Sequence, residues 1–147
     1  MTVVVGVSVD GVRIPMSRDR VARIARGVLR AERVSSAMLS VTFLTTPAMR
    51  ALNRKHLRRA GATDVISFGF RRAGRAAPVI GDVYIAPDVA RASATSHGIG
   101  VREELTRLVV HGILHVLGHD HPDNGDRVRS AMWRRQERLV RRLGATP

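Results

Sequence analysis

The run VREELTRLVVHGILHVL, residues 101–117, with GHDH at 118–121 behind it, sets the architecture. Its apolar residues (Leu105, Leu108, Val109, Val110, Ile113, Leu114, Val116, Leu117) crowd nearly every face of a helix. A helix apolar all round belongs in the centre of a domain. Gly118 is a natural stop. Two histidines, His111 and His115, interrupt this run four positions apart, which places them ~40° apart in azimuth and ~6 Å apart along the axis. From there both imidazoles can converge on one ion. A turn at Gly118 lets His121 supply a third nitrogen. Three neutral imidazoles plus a water make the arrangement of a catalytic zinc with one open position. Imidazole ligands favour zinc over magnesium or calcium, so one Zn2+ per chain is expected.

A lone histidine on an apolar helix is ordinarily a core residue with a satisfied ring. Two in one buried helix each need a polar partner, and four of the six histidines fall within residues 111–121, which coincidence explains poorly. His119 lies in the same cluster and is read as a neighbour of the ligands, or as facing substrate, rather than as a ligand.

On the N-terminal side, Val3, Val5, Val7 and Val9 alternate with smaller or polar positions, the period of a half-buried strand. Ser17 caps an amphipathic helix to about Arg33, its apolar face made by Val21, Ile24, Ala25, Val28 and Leu29. Leu39 to Leu44 reads as a second strand, and Thr46-Pro47 starts a helix to about Leu57. Val65 to Phe70 and Val79 to Ile85 read as strands able to form a hairpin. Pro87 opens a helix to about Ser96, ended by His97-Gly98, and Arg127 to Leu143 forms a last, arginine-rich helix. The expected fold is a single α+β domain over residues 1–147. It has a small, mostly four-stranded mixed sheet packed against about five helices, and the buried central helix carries the histidine pair.

Composition narrows the chemistry. A chain of 147 residues has room for one hydrophobic core. With no cysteine there is no thiolate, so a metal must be held by histidine and carboxylate. No apolar run approaches the ~20 residues that cross a bilayer. The N-terminal MTVVVGVSVDGVRIP lacks the basic start and small-residue cleavage site of a signal peptide, so the expected compartment is the cytoplasm. Basic residues number 25 against 12 acidic, a net charge of +13, and only Lys55 is a lysine. Genomic base composition accounts for arginine over lysine. It does not account for the excess positive charge, which predicts attraction to a polyanion. No basic amphipathic anchor points to a membrane. With one Trp, one Tyr and three Phe, a base-stacking platform of aromatic side chains is not expected.

His111, His115, Gly118 and His121 fall in register with the extended zincin pattern H-E-x-x-H-x-x-G-x-x-H. The position of its glutamate, the base of peptide hydrolysis, holds Gly112. The ligand spacing is that of a zincin, but the protease base is missing.

HGILHVLGHDH, together with TDVISF at Thr63 to Phe68, Leu52-Asn53 and Gly81-Asp82, resembles the YbeY-type endoribonucleases, rRNA maturation factors. The order and spacing match from about Leu39 to Glu137. The resemblance implies a zinc-dependent endonuclease directed at single-stranded RNA, with His111, His115 and His121 as ligands. It would act in 3′-end maturation of 16S rRNA and in ribosome quality control. The implied partners are rRNA, the small ribosomal subunit, and a ribosomal protein or GTPase. Two departures stand out. Many relatives have tyrosine at the position of His119, and an arginine held to be important for activity aligns with Leu57.

Zinc lowers the pKa of water to about 7 and so serves phosphodiester cleavage. Arginines would hold the phosphate and offset charge in the transition state. The candidates are Arg58 and Arg59 for catalysis, and Arg54 and Lys55 for substrate binding. The bland alternative is that they solvate a helix face. Asp120 could orient a ligand imidazole, and Glu104 and Arg107 share the helical face of His111 and could support it likewise, although ordinary helix-surface ion pairing is the favoured reading of each. Thr63, Asp64 and Ser67 are expected to shape the cleft wall. The competing function is an RNA-binding assembly factor with structural zinc; a metalloprotease ranks third.

Overall fold

The computed structural model describes residues 2–57, 63–70, 72–119 and 130–144. Four strands alternate with helices in the order β1 (Val3–Val9), α1 (Arg18–Ala31), β2 (Ala37–Phe43), α2 (Thr46–Leu57), β3 (Val65–Gly69), β4 (Val79–Ile85), α3 (Pro87–His97), α4 (Val101–Val116) and α5 (Ala131–Gly144). The sheet order is β1-β2-β4-β3. β1 and β4 both run parallel to β2, and β3 and β4 form the antiparallel hairpin. The α+β class and the mixed four-stranded sheet are as expected.

The period-2 pattern sets which face of the sheet is covered. Ala37, Leu39, Val41 and Phe43 of β2 and Val79, Val83 and Ile85 of β4 are buried, while Met38 and Ile80 point to the exposed side. On the buried face lie α1 and α4. Val21, Ile24 and Val28 of α1 interlock there with Leu105, Val109 and Ile113 of α4 in one core. A smaller cluster of Leu44, Met49, Ile66 and Ala86 seats α2.

Helix α4 contacts β3, β4, α1, α3 and α5, the central position its composition requires. Its close seat on β4 depends on glycine. A Cβ at Gly112 would stand 2.5 Å from Val83 Cγ1, and one at Gly81 would stand 2.9 Å from Val116 Cγ2 of α4.

Ser17 caps α1 as expected, accepting from the Arg20 amide at 3.1 Å. At α2 the cap lies one residue earlier than the cap-then-proline reading puts it: Thr45 Oγ1 accepts from the Ala48 amide at 3.3 Å. Two adjacent threonines offer equivalent caps, and the backbone selects the first. Helix α5 begins at Ala131; the expected start at Arg127 lies outside the described residues.

Candidate metal centre

His111 and His115 occupy the last two turns of α4, both half-buried, with ring centroids 4.6 Å apart and planes inclined at 74°. The helical spacing therefore does bring the two imidazoles together. His111 Nδ1 lies 2.6 Å from Oε1 of Gln136 on α5. The tautomer follows from the next link. Gln136, only 2% exposed, turns its amide nitrogen to Glu137 Oε2 at 3.0 Å. An ionised carboxylate only accepts, so the amide NH2 must face Glu137 and its oxygen must face His111. His111 then donates from Nδ1, and Nε2 is the nitrogen that could serve a metal.

Glu137 is in turn gripped by Arg107, through Nε at 2.9 Å and Nη2 at 2.9 Å, a two-point carboxylate clamp. The same guanidinium reaches Glu104 at 3.2 Å and Glu103 at 3.1 Å. Burial by itself would raise the Glu137 carboxyl; the bonds from Arg107 and Gln136 outweigh it and hold the group below its ordinary value. The bond to Glu137 raises Arg107 in turn, despite its own burial. Arg107 is thus no ordinary surface partner. It anchors a chain of side chains, Arg107–Glu137–Gln136–His111, that fixes the ring of the last.

The C-terminus of α4 ends in a Schellman motif. The Gly118 amide donates to the His115 carbonyl at 3.0 Å, and the His119 amide to the Leu114 carbonyl at 2.9 Å, with Gly118 at φ 98°. Glycine suits that backbone without strain. His119 is then held at Nε2, 2.6 Å from Oε1 of Glu32, whose side chain is 7% exposed and also binds Arg135. The chain thus leaves α4 in a set direction. His121, Asp120, Arg58 and Arg59 lie outside the described residues.

Two cavities flank the pair. One, of about 490 Å³, is lined by His111, Asp64, Glu104, Trp133 and Gln136 among others. The second, of about 420 Å³, is lined by His115, Gly69, Phe70, Arg72 and Gly118 among others. Arg54 and Lys55 are exposed in the last turn of α2 and belong to the described lining of neither. Asp64 does line the His111 cavity, in keeping with its expected place in the cleft wall. Phe70 is 62% exposed and stands at the rim of the His115 cavity, an aromatic position that scarcity alone gave no reason to expect.

No group of three or more metal-ligating side chains occurs among the described residues, which contain two of the three expected ligands. What is present suits a borderline divalent ion: two neighbouring imidazoles, one with its tautomer set by a buried amide. Gly112 shows why this helix carries no counterpart of the zincin glutamate. The site of the zincin glutamate faces Val83 across the helix–sheet seam, with no room for a side chain.

Comparison with known proteins supplies the family. The family model described as Endoribonuclease YbeY matches residues 10–144. The chain belongs to the YbeY endoribonuclease family. Proteins named endoribonuclease YbeY from Thermobifida fusca (37% identical, 75% of this chain and 76% of that protein) and Aquifex aeolicus (34%, 74% and 73%) are similar to it. So is the one from Geobacillus kaustophilus (36% identical, 75% of each chain). In fold, this YbeY-family chain is similar to a Thermotoga maritima protein solved in solution, with a TM-score of 0.63 at 19% identity over 93% of this chain and 88% of that one. The matched span of this YbeY-family chain includes the two-imidazole turn of α4.

The Gln136–Glu137 pair is not among the residues that the sequence reading marks. A signal for it exists: Gln136 lies on the face of α5 that buries Met132, Leu139 and Val140, and a polar residue amid apolar ones needs a partner.

Proposed function

We propose that this chain is a zinc-dependent endoribonuclease that cleaves single-stranded RNA, acting in 3′-end maturation of 16S rRNA and in ribosome quality control. The observation that carries the reading is the His111–His115 pair, with the His111 tautomer set from Arg107 and with a cavity on each side. Family membership supports the reaction class. The net charge of +13 supports a polyanionic substrate.

His111, His115 and His121 would hold one zinc ion. When bound, it supplies Lewis acidity toward water and toward a phosphate oxygen. The chain's own residues do the rest. Gln136 keeps the Nδ1 proton of His111 in place and so makes Nε2 the nitrogen that would ligate the metal. Glu137 and Arg107 keep Gln136 from flipping. The Schellman turn and the Glu32–His119 contact fix the direction in which the chain leaves α4. Arg54 and Lys55, with Arg58 and Arg59, are the cations proposed to bind and neutralise phosphate. The small subunit, with a ribosomal protein or GTPase, is the proposed setting in the cytoplasm. No helix among the described residues is long and apolar enough to cross a membrane.

The test is cleavage of a single-stranded RNA by zinc-loaded native chain beside His111→Ala and His121→Ala variants purified in parallel. Cleavage by the native chain alone is expected. Equal cleavage by all three would assign the activity to a contaminant and sink the reading.

A further inference from the structure

An arginine-walled surface lies beside the ionic cluster at Arg107. Helices α1, α4 and α5 enclose a crevice of about 770 Å³ lined by Arg20, Arg23, Arg102, Arg107 and Arg141, against which only Glu103 and Glu137 are acidic among its described lining. It adjoins a second hollow of about 440 Å³ that shares Arg20 and Arg23 and adds Arg26, Arg30 and Arg142, with no acidic residue in its described lining. Glu103 and Arg107 belong both to the first crevice and to the His111 cavity. Those two side chains thus wall both hollows.

This is more than a solvated helix face. Arg20, Arg23, Arg26 and Arg30 recur every three or four residues, so they form one stripe spanning ~15 Å of α1. Arg141 and Arg142 of α5 face them across a concavity. Some of these guanidiniums are already steadied by backbone: Arg20 donates to the Gly144 carbonyl at 3.0 Å and Arg26 to the Val3 carbonyl at 3.0 Å. A guanidinium has five donors and can divide them between a carbonyl and a phosphate. A groove walled by one sign of charge concentrates a polyanion within it.

We infer that this arginine-walled groove binds the phosphate backbone of the RNA segment flanking the cleaved strand, extending the substrate site from the histidines over Arg107 to α1 and α5. The inference rests on the RNA-cleaving reading above. Its ligand is the repeating phosphodiester, without base selection, because the lining is cationic and aliphatic and holds no aromatic ring among the described residues.

The test is binding of 2′-O-methyl oligonucleotides, which serve without cleavage, to metal-free protein as a function of salt. A hexanucleotide is compared with one four times as long. For the long strand, Arg23→Gln/Arg141→Gln is expected to lower the slope of log K against log salt by about 1.4, at ~0.7 for each phosphate that the variant no longer neutralises. Hexanucleotide affinity is expected to change far less. Arg13→Gln/Arg50→Gln removes the same charge at exposed positions outside the groove and is expected to leave the long-strand slope unchanged. Should Arg23→Gln impair folding, Arg102→Gln/Arg141→Gln reads the same slope from the other wall. Equal slopes for both double variants, or no change in either, would overturn the inference. So would an acidic peptide of equal charge that binds the native groove more tightly than the oligonucleotide. Because metal is absent, failure of RNA hydrolysis in the separate assay would sink the cleavage reading and leave this measurement standing.

Discussion

Replacing Gln136 with methionine keeps the volume of a buried side chain and removes both of its hydrogen bonds. The first is the 2.6 Å bond that holds His111 by Nδ1. The second is the 3.0 Å bond to Glu137. In metal-free protein the direct cost is a poorly satisfied imidazole donor beside an apolar neighbour, ~1–3 kcal/mol. For a domain of this size that lowers Tm by roughly 2–12 °C. The diagnostic effect is on zinc. The ring is deprived of the partner that sets its tautomer and orientation, and affinity should fall ~10–100-fold, as such partners usually contribute. The assay is competition with a chromophoric chelator, on folded protein held well below the variant's Tm. A methionine variant that melts lower yet binds zinc as tightly as the native chain would refute a positioning role. It would leave Gln136 as a structural residue only.

Other consequences follow from the same geometry. Gly112→Ala forces a methyl toward Val83 Cγ1 in the α4–β4 seam and should cost ~1–3 kcal/mol by urea unfolding, while Gly112→Glu should fail to fold rather than acquire protease activity. An unchanged urea midpoint for the alanine variant would contradict the packing. Glu32→Ala removes the buried carboxylate shared by His119 and Arg135 and should destabilise by ~1.5–3 kcal/mol; a shift in urea midpoint at constant m-value checks it. The Glu137 carboxyl is held below its ordinary value of 4.5, so its contribution is complete above that pH and disappears as pH falls through the lower folded value. Glu137→Gln should therefore flatten the acid limb of metal-free stability below about pH 4.5, which urea titrations at several pH values will show.

Strand and helix positions were legible because burial imposes its period on the sequence. The valines of β1 alternate, and α4 has no polar face wide enough for a surface helix. Mixed pairing follows once β3 and β4 form a hairpin and the α1 and α2–β3 connections return the chain to the sheet. The histidine pair was legible for the same reason, since four residues make one turn of helix. What sets His111 was not, because Gln136 lies 25 positions away and only the packing of α5 on α4 brings it to the ring. Glu32 and His119 are 87 positions apart, and nothing local in either marks the other. Gly112 reads in sequence as a missing base; its cause, the seam with Val83, is tertiary. Arg107 shows the reverse case. Helical spacing put it on the face of His111, but its link to that ring runs through two residues of another helix.

Everything proposed for the chemistry requires that the imidazoles at the end of α4, with His121, hold one divalent ion. Mass measurement of the intact, folded protein after zinc loading and removal of excess metal addresses this without any assay of activity. One zinc per native chain, and none in His115→Ala, is the predicted result. A native chain that retains no zinc, or a His115→Ala chain that retains a full equivalent, would contradict it.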